Sequence, residues 1–153
     1  MRVTVEDAFW NYLPPVLDDI RDADLQEWYA GTGKPFSVGA FLKLQQEGYK
    51  KVARLDGKAL CFWGVDEGGD IWLFATNQAE RNALALHRVL HPELDKMFAL
   101  HPKLKALSDS RNTVHHLWLT WLGFKEEDEL FIAPFGLPFK LFTKEATPCA
   151  SGQ

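Results

Sequence analysis

The sequence predicts an α+β fold with a mixed, mostly antiparallel sheet of six to seven strands and about four helices. Three observations predict this class. Residues 51–75 contain three apolar runs separated by turn residues, which is typical of an antiparallel meander. Residues 78–101 change to apolar spacings of three and four, which indicates a helix long enough to connect two parallel strands. Residues 112–122 repeat the helical spacing before two final strands.

Length, composition and charge restrict the function classes. Of 153 residues, 46% are hydrophobic, so we expect a single domain at residues 1–145 and a flexible polar tail at residues 146–153. The net charge is −4, and residues 77–153 carry nine acidic and nine basic side chains, so no basic half is available for nucleic acid. No apolar run approaches the roughly 20 residues of a membrane span, and the N-terminus lacks the apolar stretch of a signal peptide.

The N-terminal third predicts one strand and at least two helices. The first seven residues alternate weakly between polar and apolar, as a strand does. Two helical pieces separated by adjacent prolines follow, and the second, Val16–Ala30, is expected to end near Gly31 and Gly33. Residues 34–48 suggest one more short helix.

Strand-forming residues dominate the middle of the chain. Lys51–Leu55 leads into Asp56-Gly57, a strong hairpin turn signal, and Ala59–Val65 follows it. Asp66–Asp70 is a second turn, and Ile71–Ala75 is the third strand of the meander.

A helix and three strands account for most of the remaining chain. The helix over residues 78–101 is expected to be interrupted at Pro92, and Lys103–Ser108 can form a short strand after it. Phe124–Ile132 and Phe139–Thr143 are the last two strands. The second of these is expected at a sheet edge, where it can pair with another copy of the chain in a homodimer.

The helix between these strands has clear boundaries. Either Asn112 or Thr113 can be its N-cap, and Gly123 is well placed to end it. Its expected apolar face consists of Val114, Leu117, Trp118, Trp121 and Leu122.

The turn after the third meander strand decides against several nucleotide-binding folds. No glycine occurs between Gly69 and Gly123, which excludes a glycine-rich phosphate loop at this turn. Two interpretations stay open. The helix start Asn77–Arg81 holds an anion through its N–H groups and dipole, or Thr76 and Asn77 only cap the helix.

Histidines and cysteines provide few candidates for chemistry. His87 and His91 share a helix face without a third ligand at a zinc-site spacing, so we expect no metal. His115 is a candidate general base, with structural hydrogen bonding as the alternative. Cys61 lies in an apolar strand and is expected to be a buried, inert thiol. Because Cys149 is far from it, we expect a reducing compartment.

The six tryptophans divide into three expected pairs. Trp118 and Trp121 are expected in the core, Trp63 and Trp72 packed across the sheet, and Trp10 and Trp28 on a candidate binding surface of the N-terminal helices.

Residues 112–124, NTVHHLWLTWLGF, match a family motif in addition to having helical spacing. They resemble the motif N-x-x-A-x-x-L-Y-x-x-x-G-F of the GNAT (Gcn5-related N-acetyltransferase) superfamily, with Asn112, Gly123 and Phe124 in register. In that superfamily the asparagine begins a helix beside acyl-coenzyme A. The resemblance, and a similar order of predicted elements, imply a GNAT-like fold.

A second resemblance covers about residues 2–144. Arg21, Asp24 and Glu27 form an R-x-x-D-x-x-E segment, and Asp56-Gly57 a hairpin turn. Together they resemble small GNAT-like proteins of tailed bacteriophages, including internal virion protein A of short-tailed coliphages. This implies a location in host cytoplasm or the virion, and a phage or host protein as partner. The alternative for the R-x-x-D-x-x-E segment is surface pairing, which contributes a few tenths of a kcal/mol.

The GNAT resemblance also implies a site. The residues expected to bind acetyl-CoA are Phe74, Ala75, Thr76, Asn77, Gln78, Arg81 and Asn112. Candidates for a catalytic base are Asp24, Glu27 and His115. The chain departs from the family because the loop Asn77–Ala83 lacks both family glycines, and Leu119 replaces a tyrosine that often acts as general acid. No carboxylate lies in the strand before that loop.

Two functions follow from these residues. The departures favour a non-catalytic GNAT-like phage protein with a degenerate acyl-CoA site, acting in virion assembly or host-protein binding. The alternative is an acetyl-CoA-dependent N-acyltransferase for a small amine or a protein amine. Whether the chain is an enzyme is left open by the sequence.

Overall fold

The computed structural model describes residues 3–7, 19–37, 39–40, 43 and 49–147. In this part of the chain, seven strands and four helices confirm the predicted α+β class. In chain order they are β1 (Val3–Asp7), α1 (Asp22–Thr32), β2 (Tyr49–Leu55), β3 (Lys58–Val65), β4 (Ile71–Ala75), α2 (Asn77–Arg81), α3 (Ala83–Phe98), β5 (Lys103–Asp109), α4 (Thr113–Trp121), β6 (Lys125–Ile132) and β7 (Leu137–Glu145).

Several predicted features lie outside the described residues. They are the first helical piece, Trp10, Cys149 and most of the short helix expected at residues 34–48. Of the helix expected over Val16–Ala30, residues 16–18 lie outside the described residues, and Ile20 forms a β-bridge with Thr76 instead. The helix α1 begins only at Asp22 and ends at Gly33, which has a left-handed conformation with φ 74°. No helix among the described residues is long and apolar enough to cross a membrane.

The strands form two antiparallel sheets. Their orders are β1-β2-β3-β4 and β5-β7-β6. The turn between β2 and β3 is Asp56-Gly57, whose φ values of 51° and 81° are the positive values that a two-residue hairpin requires. The predicted meander is therefore confirmed.

The two sheets meet along β4 and β5, which run parallel. The Lys105 N–H donates to the Gly69 carbonyl oxygen at 2.9 Å, and Asp70 and Lys105 form an isolated parallel bridge. Further along, β5 pairs with β7, whereas Ala75 at the end of β4 faces α1. A gap, the β4–β5 cleft, therefore opens between the carboxyl ends of the two strands.

Each face of the first sheet packs on its own apolar layer. Trp63 faces the large core cluster that includes α3, whereas Phe62 and Trp72 face the smaller cluster around Ile20. Because side chains alternate along a strand, Trp63 and Trp72 lie on opposite faces. The prediction that they pack together is wrong, and Trp72 instead lies against its cross-strand partner Gly64.

The crossover helix is continuous through Pro92, so the predicted interruption there is wrong. The helical chain breaks at Asn82 instead, between α2 and α3. Leu90 and Leu94 flank Pro92, and both are buried in the core. Their packing holds the two halves of α3 together even though the proline removes one backbone donor.

The buried face of α4 differs from the face that its spacing predicts. Trp118 and Leu122 are buried as expected, but Trp121 is 46% exposed and Leu117 is 47% exposed. His115 is buried in their place because polar groups of α1 and β5 bind its ring.

The strand β7 is the centre of the second sheet, so its predicted edge position is wrong. Phe139 pairs with Asp109 of β5 on one side and with Leu130 of β6 on the other. Both edges of β7 are already paired, so Phe139–Thr143 cannot add a strand from a second copy, and the outer strand is β6, most of whose side chains are exposed.

We expect Gly64→Ala to destabilise the protein by about 1–3 kcal/mol. An added Cβ would lie 2.5 Å from Cζ2 of Trp72 and 2.6 Å from the Tyr49 carbonyl oxygen, which is held by strand pairing. Urea denaturation measures the change. Gly31→Ala is the control, since its Cβ would lie an ordinary 3.6 Å from Phe139 and alanine favours a helix. Equal midpoints for the two variants would contradict this packing.

Candidate functional site

Two cavities flank the β4–β5 cleft. The α1-side cavity, between α1 and the two sheets, has a volume of about 250 Å³, and Asp24, Glu27 and His115 line its polar end. The α4-side cavity is smaller, about 40 Å³, and is lined mainly by apolar side chains such as Trp118. Four residues line both cavities and therefore lie between them: His115 of α4 and Ile71, Trp72 and Leu73 of β4.

A buried arginine ties three helices together. The Arg21 Nη1 donates to Asp24 Oδ1 at 2.9 Å, and Nη2 donates to Asn112 Oδ1 at 3.3 Å. Nε donates to Glu80 Oε1 at 2.6 Å. The guanidinium also lies 5.4 Å from the centre of the Trp118 ring, which is within cation–π distance. One side chain therefore joins the start of α1 to α2 and α4.

The segment before α1 occupies part of the open edge of β4. The Arg21 N–H donates to the Ala75 carbonyl oxygen at 2.9 Å, and the Asn77 N–H donates to the Asp19 carbonyl oxygen at 3.0 Å. The Ala75 N–H donates to Asp24 Oδ2 at 2.8 Å. Both backbone groups of Ala75 are therefore bonded to residues 21–24.

Glu27 and His115 meet at the polar end of the α1-side cavity. Glu27 Oε1 accepts hydrogen bonds from Ser108 Oγ at 3.0 Å and from the Asp109 N–H at 2.7 Å. His115 Nδ1 lies 3.0 Å from Ser108 Oγ and 3.6 Å from Glu27 Oε1. These contacts fix the ring orientation and leave Nε2 on the opposite side of the imidazole.

Burial and charge change the pKa of each ionisable group here. Burial raises the pKa of Asp24 above its usual value, although the charge of Arg21 opposes it. Burial would raise the pKa of Glu27, but the adjacent His115 and hydrogen bonds to the carboxylate lower it overall. Burial would lower the pKa of His115, but the carboxylates of Glu27 and Asp24 outweigh burial and raise it.

The structure brings the three predicted base candidates together, with different surroundings. Asp24 accepts hydrogen bonds on both oxygens, from Arg21, Asn112 and Ala75, so its carboxylate connects α1 to β4 and to the start of α4. Glu27 uses only Oε1, and neither its Oε2 nor Nε2 of His115 has a hydrogen bond from any described residue. These two atoms are the ones available to a ligand.

The side chains of two predicted helix caps bind elsewhere, so side-chain capping by these residues is wrong. Asn112 is the N-cap of α4, but its amide bonds to Arg21 and to the carboxylates of α1. Thr76 is the N-cap of α2, but its hydroxyl donates to the Leu60 carbonyl oxygen at 2.9 Å. The Asn112 amide and the Thr76 hydroxyl therefore bond to residues distant in sequence rather than to the N–H groups of their own helices.

Two of the residues predicted to bind acetyl-CoA have polar groups that are already bonded within the chain. Ala75 and Asn112 are bonded to the α1 region, and the Phe74 and Thr76 side chains are buried. Along an antiparallel strand, every second residue directs its backbone N–H and C=O to the same side. Leu73, two residues before Ala75, therefore directs both groups away from β3 and towards the cleft.

The predicted residues on α2 lie at its surface. Asn77 is exposed and its amide donates to Asp19 Oδ1 at 3.0 Å, whereas Gln78 is half-buried and Arg81 is exposed. Glu80 in the first turn binds Arg21, which places a carboxylate where the sequence suggested an anion site. This arrangement disfavours a phosphate at the start of α2.

His87 and His91 share a helix face, as predicted, with their Nε2 atoms 3.1 Å apart. Across residues 3–147, apart from the undescribed positions, no group of three His, Cys, Asp or Glu side chains could hold a metal ion. Cys61 is buried, as predicted, and burial raises the pKa of its thiol.

Sequence reasoning missed two residues of the site and misjudged a third. Ser108 follows Leu104 and Ala106 on the buried face of β5, so the alternation of that strand could have identified it. Glu80 gave no such signal. The alternative that Arg21 forms a surface pair is wrong, since its side chain is 5% exposed.

Replacing Arg21 tests the network directly. We expect Arg21→Leu to lower the free energy of unfolding by about 3–5 kcal/mol, because Asp24 would stay buried without its cation. Lys51→Leu is the control. Its pair with Asp7 is also short, at 2.6 Å, but the Asp7 side chain is 70% exposed and stays hydrated without its cation, so a loss below about 1 kcal/mol is expected. Similar losses in chemical denaturation would contradict the central role of Arg21.

No protein-family model matches the chain, and no curated protein matches its sequence. Solved structures match its fold. An N-acetyltransferase from Staphylococcus aureus Mu50 has a TM-score of 0.71 at 16% identity, over 95% of this chain and 99% of that chain. A ribosomal-protein-alanine N-acetyltransferase from Brucella melitensis has a TM-score of 0.72 at 14% identity, over 94% and 99% of the two chains.

A third solved structure carries a ligand. It is a GNAT superfamily phosphinothricin acetyltransferase from Sinorhizobium meliloti in complex with acetyl-CoA, with a TM-score of 0.71 at 12% identity over 100% of this chain and 93% of that chain. The matches cover nearly the whole length of each protein. This chain therefore has the fold of the GNAT superfamily acetyltransferases, as its sequence resemblance implied.

Proposed function

We propose that this chain is an acyl-CoA-dependent N-acyltransferase whose amine substrate binds in the α1-side cavity. The observation that carries the proposal is the position of His115, which lines both cavities at the cleft. The contacts of Ser108 and Glu27 fix its ring. The fold supports the choice of reaction, since a neighbour of the same fold was solved with acetyl-CoA.

His115 is the base in this proposal. The single proton of the Ser108 hydroxyl is donated to Glu27 Oε1, so the contact between Ser108 Oγ and His115 Nδ1 requires the proton on Nδ1. Neutral His115 then carries its lone pair on Nε2. A protonated amine can transfer a proton to this atom, which leaves the amine nitrogen as a nucleophile.

Glu27 is a positioning residue in this step. Its Oε1 is 3.6 Å from His115 Nδ1 and stabilises the imidazolium that forms when Nε2 accepts a proton. Asp24 does not compete for this role because its two oxygens are bonded to Arg21, Asn112 and Ala75.

An acyl-CoA thioester, when bound, would supply the acyl group: the amine nitrogen would form the new amide bond as the C–S bond breaks, and coenzyme A would leave as a thiolate. The backbone of Ala75 is predicted to contact the acyl-CoA, but its N–H and C=O are hydrogen-bonded to Asp24 and Arg21. Binding at Ala75 therefore requires the first turn of α1 to release it. Leu119 is buried and has no ionisable group, so its side chain cannot act as a general acid.

A second candidate function is non-catalytic binding. The engagement of Ala75 by Asp24 and Arg21 favours it, because a chain that never binds an acyl donor has no need to keep this edge open. In this case the chain acts as a GNAT-like phage protein in virion assembly or host-protein binding, in host cytoplasm or in the virion.

Acetyl-CoA binding and amine acetylation separate the two candidates. We expect calorimetry to show binding of acetyl-CoA and mass spectrometry to show acetylation of members of an amine panel. His115→Gln should lower kcat by about 10²- to 10⁴-fold while acetyl-CoA affinity is unchanged. His91→Gln, on the exposed side of α3, is the control. No binding heat at millimolar acetyl-CoA, with no acetylated amine, would favour the second candidate.

The pH dependence of the reaction tests the pairing of Glu27 with His115. We expect kcat/KM to rise with pH through the pKa of His115, because only the neutral ring accepts a proton. The Glu27 carboxylate contributes to raising that pKa, so Glu27→Gln should move the rise to lower pH. NMR titration of His115 measures the same shift. His87, whose pKa burial lowers, is the internal control, and an unmoved His115 curve would disprove the coupling.

A further inference from the structure

The α1-side cavity contains one carboxylate oxygen that the described residues leave unbonded. Glu27 Oε1 accepts hydrogen bonds from Ser108, Asp109 and Asn112, whereas Oε2 accepts none from the described part of the chain. The Glu27 side chain is 17% exposed, and the residue lines the cavity. Because Oε2 is accessible from the cavity and has no donor among the described residues, it can accept a hydrogen bond from a bound ligand.

The other charged groups around Glu27 are already paired. Asp24 binds Arg21 and is 2% exposed, and Arg21 also binds Glu80. His115 lines the cavity as well, and it adds no charge in the neutral form that the proposed base requires. In that form of the site, the polar end of the cavity presents the negative charge of Glu27 and complements one cation.

Aromatic rings form the cavity wall on the side of β4. Trp28 of α1 lies 5.8 Å from Phe74, and Trp72 lies 6.1 Å from Phe74, measured between ring centres. Phe139 lines the opposite side, on β7. Such rings contact flat apolar groups, and their faces also attract cations.

The volume of the cavity limits the ligand. An apolar cavity of about 150 Å³ can hold a benzene molecule. The α1-side cavity, at about 250 Å³, can therefore hold one ring with a short substituent. A long polyamine would bring a second cation to a cavity that offers it no second carboxylate oxygen.

We propose that the α1-side cavity binds a primary amine attached through a short linker to a flat apolar ring. The ammonium group donates to Glu27 Oε2, and the ring lies against Trp28, Trp72 and Phe74. This substrate class rests on the proposed N-acyltransferase function, for which the same amine is the acyl acceptor.

Three probes that differ in one group test the proposal by calorimetry without any acyl donor. Phenethylamine has the ring and the ammonium, 2-phenylethanol replaces the ammonium with a hydroxyl, and butylamine has no ring. We expect phenethylamine to bind at least tenfold more tightly than either of the others. Equal affinity for phenethylamine and 2-phenylethanol, or for phenethylamine and butylamine, would overturn the proposal.

Variants locate the binding groups. Glu27→Gln keeps an oxygen for Ser108 and should reduce phenethylamine affinity at least tenfold without changing that of 2-phenylethanol. Glu67→Gln, in the exposed turn between β3 and β4, is the control and should change neither. If Glu27→Gln fails to fold, Trp28→Leu keeps the test decisive, because it should weaken phenethylamine but not butylamine. Unchanged phenethylamine binding in either folded variant would overturn the assignment.

The outcome is independent of the acyltransferase reaction. Phenethylamine that binds as expected but is never acetylated would support the amine site and contradict the proposed function. Acetylation of other amines by a chain that does not bind phenethylamine would support the function and overturn the substrate class.

Discussion

The buried guanidinium of Arg21 is the interaction on which the site depends. Its planar fork binds the Asp24 carboxylate, the Asn112 amide and Glu80, so one side chain holds α1 against α4 and α2. Glu27 lies three residues after Asp24 on the same helix, and its place in the cavity follows from this attachment. Removing the cation would leave Asp24 as a buried anion without compensation, which is the costly state of a broken buried pair.

The same attachment occupies the backbone groups of Ala75 at the end of β4. The strength of these hydrogen bonds decides whether an acyl donor can replace them, which is the point on which the two candidate functions differ. Ala75 makes one neutral hydrogen bond, worth about 0.5–1.5 kcal/mol, and one bond to a carboxylate, worth about 1.5–3 kcal/mol. A ligand with micromolar affinity gains about 8 kcal/mol. Releasing Ala75 would therefore weaken the binding of an acyl donor without preventing it, and the two functions differ in whether this release occurs.

The sequence predicts the order of strands and helices well because local signals determine them. The Asp56-Gly57 turn and the alternation in β2 to β4 need no tertiary information. The errors arise where tertiary contacts decide. The burial of Leu90 and Leu94 in the core keeps α3 continuous across Pro92. The hydrogen bonds of His115 bury that residue of α4 in place of Leu117 and Trp121. For the site, the motif resemblance predicted Asp24, Glu27 and His115, which the structure brings together, but no sequence signal shows that Arg21 bonds to Ala75.

The outer strand β6 has a consequence for the behaviour of the protein in concentrated solution. Residues 126–129 are four consecutive acidic residues with exposed side chains, and the pairing of β6 with β7 shifts register there. An edge of this kind is a poor template for another strand, because like charges would come together and the irregular backbone would not match. A chain rich in aromatic residues can thus keep an open three-stranded sheet without growing into fibrous aggregates.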